Sequence, residues 1–595
     1  MPQRKMETLK DKIEKRFLNY VRKPGRYIGS EVNAICKDLK HTKLSFALCF
    51  PDIYEIGMSH TGMAILYDVL NKMEGVAAHR CFTPWVDAIE VMKRNSVPLF
   101  AVESVEPIKN YDVIGFSLTT ELCYTNMLTM LDLAGVELRS KNRTQNDPLV
   151  IAGGQMANCC EPVADFVDVF VIGEAEESIV QLVQLLMEAK EQGKTKTQIL
   201  LDIAGKFDWA YVPSLYEFEY DGDKIKSFKS LAPGMRDHFH SAVVTDFDNA
   251  PVPDKPIVPY VQAVHERVSI EIMRGCPGRC RFCQASFCRR PIRFRSVDRI
   301  VEIAKKQYHA TGFDTISLLS LSTADYPQLE ELIEKLNAYF SPLHVGISLP
   351  SMRVDEQLKL MPKLGASVRK SGLTIAVEAA SQNLREMINK PLTNENLFAG
   401  VEAAYRAGYR SIKLYFMVGF AGEMESDITA IVDLCVAIAR LRKNVDGKTG
   451  EVTAAVSWLV PKAHTPFQYF AQRESQYFEK ARRLILERKR ELGLKYVSFK
   501  FHNYNHSVLE SAIGRGDRKL CDVIESAYRA GAKFDLWDEC FDIDIWRKAF
   551  ADNGLGLNTL AQHEFKTDEI LPWQHLGGPT AKTLLDHYIA AKEMI

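Results

Sequence analysis

No stretch of the 595 residues stays apolar for about twenty positions, so no membrane-spanning helix is expected. The opening MPQRKMETLKDKIEKRF is charged and lacks the apolar centre of a signal peptide, and the chain is read as cytoplasmic. Charge of one sign is not in excess: 75 Lys and Arg face 76 Asp and Glu. No global field therefore indicates nucleic acid, and only a local basic patch is left open. Repeats and low-complexity tracts are missing as well, and the composition is globular rather than disordered. The 13 cysteines are odd in number and carry no export context, which argues against a disulfide framework. Any tight cluster of them is a metal-site candidate.

The length predicts two or three domains. From Lys43 to Glu177 apolar runs (KLSFALCF, PLFAVES, YDVIGFSLT, PLVIAGG, FVDVFVIGE) alternate with helical patterns such as HTGMAILYDVLNKM. That rhythm predicts an α/β, doubly wound parallel sheet of the Rossmann-like type over residues 1–240. Gly153, Gly154, Gly173 and Glu174 follow strands, at the carboxyl edge where such sheets bind ligands. Prolines gather between Ala232 and Tyr260, and residues 241–262 are expected to be a connector along the surface.

The βα rhythm resumes at Arg267, with Ser296 a candidate N-cap for the next helix. Six strand-helix units through TAAVSWLVP predict a full or partial (β/α)6 barrel, similar to a TIM barrel, over residues 263–480. Residues 481–595 are expected to form a mostly helical extension whose role cannot be read.

Directly after the first barrel strand stands RGCPGRCRFCQASFC, with Cys276, Cys280 and Cys283 separated by three and then two residues. Three thiolates on one tight loop can hold a cubane iron-sulfur cluster and leave one iron open to a small molecule. Gly275 and Gly278 allow the sharp fold, and Arg274, Arg279 and Arg281 would offset the cluster's negative charge. The alternatives are a zinc site, or a carrier cluster, with Cys288 as fourth ligand.

The C-x3-C-x2-C loop at this position, with Phe282 before the last ligand, resembles the signature of the radical S-adenosylmethionine (SAM) superfamily. The resemblance implies an enzyme with a 4Fe-4S cluster whose open iron binds SAM. Reductive cleavage then yields methionine and a 5′-deoxyadenosyl radical, with a reductant such as flavodoxin or ferredoxin as partner. It places Ser320 and Ser322, with Asp325, where relatives hold the SAM amino group, in a segment that departs from their Gly-Gly-Glu pattern. Arg353, beside Ser348 and Ser351, suits a carboxylate or a surface acid. Glu378 ends the fourth strand at the ribose position, its alternative being a structural ion pair, and Gly419 and Gly422 would let the backbone approach adenine. His464 would line a substrate pocket or be a solvated loop residue.

The doubly wound domain in front of the barrel resembles cobalamin-dependent radical SAM proteins, VIAGGQMAN and VDVFVIGEAEES matching the end of their cobalamin-binding domain. The D-x-H-x-x-G motif for a lower axial histidine is absent, and His60 in GMSHTGM has no matching Asp. Cobalamin would bind without histidine ligation, or the domain has kept the fold and lost the cofactor. With cobalamin, methyl transfer to an unactivated carbon is expected; without it, modification of RNA or of a protein side chain. Methylthiolation would need a second cluster, for which Cys36, Cys49, Cys81, Cys123, Cys159 and Cys160 are too scattered in sequence. The substrate is not legible.

Overall fold

The computed structural model describes residues 7–349 and 373–595. In the N-terminal part β1 (Leu44–Phe50), β2 (Val76–Phe82), β3 (Val113–Ser117), β4 (Leu149–Gly153), β5 (Val169–Val171) and β6 (Ala210–Tyr211) form one sheet in the order β2-β1-β3-β4-β5-β6. The first five are parallel, with Leu48 of β1 level with Arg80 of β2 and Gly115 of β3, and β6 closes the edge antiparallel. Strand β1 is buried throughout because both faces are covered: Ala47 and Cys49 enter one core, Phe46, Leu48 and Phe50 the other. Helices Thr61–Lys72 and Ser178–Glu191 pack on the second face, Val86–Asn95 and Tyr124–Ala134 on the first. This is the doubly wound arrangement expected, and its order reverses at β1, opening a crevice at the carboxyl edge.

Two details differ from expectation. PLFAVES is not a sheet strand; Phe100 pairs only with Pro107. The missing strand is β2, whose His79 and Arg80 interrupt the apolar pattern. Both are buried inside the fold with polar partners: His79 Nδ1 lies 2.7 Å from Tyr111 Oη, and Arg80 joins Glu103 at 2.5 Å and Glu31 at 2.8 Å. A hairpin of β7 (Tyr216–Asp221) and β8 (Lys224–Ser230) follows, turning at Gly222 with φ +60°.

The second sheet system contains β9 (Val268–Glu271), the short antiparallel pair β10 (Met273–Arg274) and β11 (Arg293–Phe294), β12 (Thr315–Leu319) and β13 (Gly346–Ser348). It continues with β14 (Leu373–Glu378), β15 (Ser411–Val418), β16 (Glu451–Trp458) and β17 (Val497–Phe501). Two parallel arcs result, β13-β12-β9 and β14-β15-β16-β17. The six expected barrel strands are all present, and β17 adds a further parallel strand beyond residue 480. Ser296 has the extended N-cap backbone, but its hydroxyl bonds Asp248 at 3.1 Å instead of the helix.

The proline-rich connector runs along the surface, with Asp254, Lys255 and Tyr260 exposed, and is pinned by a few buried side chains. Phe239, Val244 and Phe247 are buried, and Phe247 lies under the guanidinium groups of Arg274 and Arg295 at 4.9 and 4.6 Å. The C-terminal helices Tyr504–Gly514, Leu520–Arg529 and Ile543–Asp552 share one core with β3 and the helix after it, so Leu509, Ile524 and Trp546 complete a face of the N-terminal sheet. Among the described residues no helix is long and apolar enough to cross a membrane.

Candidate functional site at two facing carboxyl edges

The β10–β11 ladder pairs Arg274 with Arg293 and closes the base of the segment that carries the cysteines. Gly275 takes φ +93°, where a Cβ would come 2.7 Å from the Arg289 carbonyl, so only glycine fits the turn. Cys276, Cys280 and Cys283 are partly exposed, and a Cβ at Gly278 would lie 3.4 and 3.9 Å from the Sγ atoms of Cys276 and Cys280. Arg290 braces the loop by donating to the carbonyls of Cys276 (3.1 Å) and Gly278 (3.0 Å). The segment after β14 holds the other side: Arg281 N–H donates to Ile388 O at 2.9 Å and Asn389 Nδ2 to Arg279 O at 2.9 Å.

Burial pushes the Cys280 thiol up to about 11 and raises Cys276, so an electrophilic metal centre is what would hold them as thiolates. Cys288 lies in the short helix Gln284–Cys288, where burial pushes its thiol up to about 12. Among the described residues no three Cys, His, Asp or Glu side chains surround one point as ligands of a single ion, and the zinc arrangement with Cys288 is not assembled. Cubane ligands bind different irons and need no such convergence.

The charge-offsetting role expected of Arg274 is overturned, because that side chain is already committed to Glu176 (2.6 Å), Glu271 (2.7 Å) and Glu174 (3.3 Å). Arg281 faces the carbonyl of Met387, and Arg279 alone of the three is exposed.

At the strand ends, Glu378 sits at a bulge where β14 slips against β15, with φ +70°, a conformation that strains a side chain and recurs at functional sites. Burial raises its carboxyl, and Lys390 Nζ at 3.5 Å offsets this in part. The structural ion pair is thus made with Lys390, and both groups act electrostatically on Cys280. Phe282 packs with Met417, Phe420 and Phe467, joining the loop to the ends of β15 and β16. Ser320 Oγ lies 2.8 Å from Thr323 Oγ1, and Ser322 donates to Asp325 at 2.6 Å, so both hydroxyls have local partners. Arg353 lies outside the described residues.

Gly419 and Gly422 take φ +114° and +74°, but protein fills the space a Cβ would need, Phe478 at 2.8 Å and Ile595 at 2.9 Å. Beside them Glu423 accepts from Gly419 N–H (2.7 Å) and Tyr477 Oη (2.6 Å), and burial pushes it up to about 7. His464 is neither solvated nor loose: it is buried, with Nε2 2.7 Å from Asn158 O.

The carboxyl edge of the N-terminal sheet faces the carboxyl edge of the barrel across a cavity of about 490 Å³, within the range of small-molecule sites. Gly153, Gly154 and Gly173 line one wall, and Ser320 and the backbone around Gly275 line the other. Glu174 borders it but is a structural clamp, bound by Arg293 through both oxygens (2.5 and 2.7 Å) and by Val244 N–H (2.7 Å). His60 and Arg289 also line the cavity. His60 Nδ1 accepts the Met63 N–H at 3.1 Å, so in the neutral ring Nε2 carries the proton and has no lone pair for a metal. Burial, then the Arg289 charge, push His60 down to about 4, which keeps it neutral. Among the described residues Arg289 has no carboxylate partner.

Two family models match: the one described as radical SAM proteins, N-terminal, over residues 62–213, and the one described as the radical SAM superfamily over 270–435. Together they span more than half of the chain. The chain belongs to the radical SAM superfamily. It is an enzyme, and a 4Fe-4S cluster and SAM are its cofactors. An uncharacterised protein of Methanocaldococcus jannaschii is 25% identical over 528 residues, covering 86% of this radical SAM chain and 98% of that one. The ribosomal protein uS12 methylthiotransferase RimO of Pelotomaculum thermopropionicum is 28% identical over 175 residues, 28% of this chain and 38% of that. Among solved structures, the cobalamin-dependent radical enzyme OxsB, with aqua-cobalamin and SAM bound, superposes with TM-score 0.48 at 12% identity, covering 92% of this chain and 79% of that.

Several residues around the cysteine loop and the cavity had no readable signal. Lys390 is an isolated cation in sequence, Arg289 is one of several arginines in CRRPIRFR with nothing to single it out, and Gln155, whose amide reaches Gln284 Oε1 at 3.3 Å, links the two sheets from 129 positions away. Of the six N-terminal cysteines, Cys49 and Cys81 are neighbours on β1 and β2, Cys36 is exposed, and Cys123, Cys159 and Cys160 are buried around Tyr124.

Proposed function

We propose that Cys276, Cys280 and Cys283 ligate the cluster, that SAM occupies its remaining iron, and that the cavity at the N-terminal sheet takes the nucleotide tail of a cobalamin. The reaction would then be methyl transfer to a carbon. The observation that carries this reading is the facing of two ligand-binding carboxyl edges across one cavity, with the base of the cysteine loop on its wall. When bound, cluster and SAM supply a one-electron cleavage of the sulfonium, and cobalamin supplies a methyl carrier.

The chain's own part is to hold and enclose. Arg290 and the Gly275 turn fix the loop, Glu378 accepts from the ribose hydroxyls, and Arg289 offers its free charge to an anionic group such as a phosphodiester. His60 cannot be an axial ligand in its bonded tautomer, which fits the missing D-x-H-x-x-G motif. The cysteine loop needs a low-potential one-electron donor. Methylthiolation, the activity named for the Pelotomaculum relative, is disfavoured because it needs a second cluster, and Cys123, Cys159 and Cys160 are packed into the hydrophobic core of the N-terminal sheet.

Anaerobic reconstitution with iron and sulfide tests this reading. Reduced protein given SAM should consume it, cobalamin should copurify or bind, and alanine at any of the three cysteines should abolish both iron loading and SAM cleavage. Full cleavage after alanine replacement of Cys276 would overturn the assignment.

A further inference from the structure

A second recess, of about 400 Å³, borders the cysteine loop and shares no lining residue with the central cavity. Three distant segments build it: His238, His240 and Ser241 where the N-terminal domain meets the connector, Arg279 and Arg290 of the loop, and the turn Gly577-Gly578-Pro579-Thr580. No Asp or Glu is among the described residues that line it. Among the described residues Arg290 meets carbonyl oxygens alone, those of Ser286, Cys276 and Gly278, and no carboxylate there neutralises its charge. Arg279 is exposed. Burial, then His240, hold His238 below its ordinary range, so it offers an N–H rather than a charge. The positive field therefore comes from the two arginines.

The fourth side adds donors of the same kind. Gly577 and Gly578 take φ +66° and +79°, and a Cβ at Gly578 would strike His464 Nδ1 at 2.3 Å, so the turn stays bare backbone. It leads into helix Ala581–Lys592, whose first-turn N–H groups include partners an anion can use, with the Thr580 and Thr583 hydroxyls 2.8 Å apart beside them. The recess opens into a cleft of about 760 Å³ that shares His238, His240 and Thr580 and is lined by Phe218, Phe228 and Tyr469. Towards the central cavity there is only a neck of about 30 Å³ beside Gln155 and Gln284, room for about one water.

We propose that this recess is a phosphate-binding subsite: it grips the phosphate of a ligand whose body lies in the aromatic-lined cleft, and it anchors that ligand outside the central cavity. Guanidinium groups, imidazole N–H groups, hydroxyls and a bare backbone turn, without an acid, are the donor set of a phosphate rather than of an amine or a metal. The site goes beyond the proposed reaction and does not depend on the cluster.

Calorimetric titration of the reconstituted protein with inorganic pyrophosphate, and separately with a single-stranded hexaribonucleotide, tests it. Saturable binding of pyrophosphate is expected. Thr583 is the third residue of its helix, so Thr583→Glu completes a Thr-x-x-Glu capping box with Thr580 and favours the fold while placing a carboxylate in the recess. It should weaken pyrophosphate at least about tenfold at unchanged melting temperature and iron content. Arg279→Gln should weaken it in the same direction. RNA that binds more tightly than pyrophosphate assigns the phosphate to a polynucleotide, and weaker RNA assigns it to a small molecule. No saturable binding, or equal pyrophosphate affinity in Thr583→Glu, overturns the proposal. Iron content and SAM consumption, read on the same samples, report separately on the proposed function.

Discussion

Replacing Arg293 by Met should damage the protein more than replacing Glu174 by Gln, although the two side chains are partners. The clamp between the N-terminal sheet and the barrel holds three carboxylates, Glu174, Glu176 and Glu271, on two guanidinium groups, Arg274 and Arg293. All are at least three-quarters buried, so their charges are poorly screened. Without Arg293, three acids share Arg274 and Glu174 keeps a single ionic contact at 3.3 Å. That leaves an uncompensated buried charge, a loss of about 3–5 kcal/mol. With Gln at 174, two guanidinium groups face two carboxylates, and the amide oxygen still accepts from Val244 N–H. About 1–2 kcal/mol is the expected cost. The double variant should therefore recover part of the Arg293→Met loss, with a coupling of about 2 kcal/mol. Urea unfolding followed by tryptophan fluorescence, compared on the same transition, measures the cycle. Equal losses in the two single variants, or strict additivity in the double, would refute the charge count.

The other expectations concern the site. Alanine at Cys288 should retain iron and SAM cleavage, since its thiol is a protonated neighbour of the loop; loss of iron would make it a ligand. Glu378→Gln should raise the KM for SAM about tenfold or more, through a weakened ribose hydrogen bond, with iron content unchanged as the check. Burial lifts Glu423 from 4.5 to about 7, so between those values the folded state binds more protons than the unfolded one and stability falls as pH rises. Glu423→Gln should flatten that fall, worth at most about 3 kcal/mol, and identical pH profiles of wild type and variant would contradict it. His60→Gln should leave the visible spectrum of bound cobalamin unchanged; a shift would mean that His60 does ligate cobalt.

The cysteine motif was legible because its chemistry is local: three thiols and two glycines act within nine residues. The parallel sheets were legible through runs of apolar residues buried on both faces. Strand β2 was not, because Arg80 is neutralised by Glu31 and Glu103, residues 49 and 23 positions away. The same limit hid Lys390 and Arg289, whose roles exist only once the loop meets the segment after β14 or the N-terminal sheet. Arg274 shows the converse error: an arginine beside the cysteines in sequence is held by acids from another sheet. Glycine likewise reports a backbone angle but not what lies against it, and Phe478 and Ile595 occupy the space beside Gly419 and Gly422.

The helices between Tyr504 and Asp552 cover a face of a sheet whose first strand begins at Leu44. During synthesis that face must wait, wet and sticky, while more than four hundred further residues leave the ribosome, at about 5–20 residues per second. A nascent chain halted before Tyr504 would carry an unsheathed greasy wall into the cell, so its yield should depend on chaperones far more than that of the full-length polypeptide.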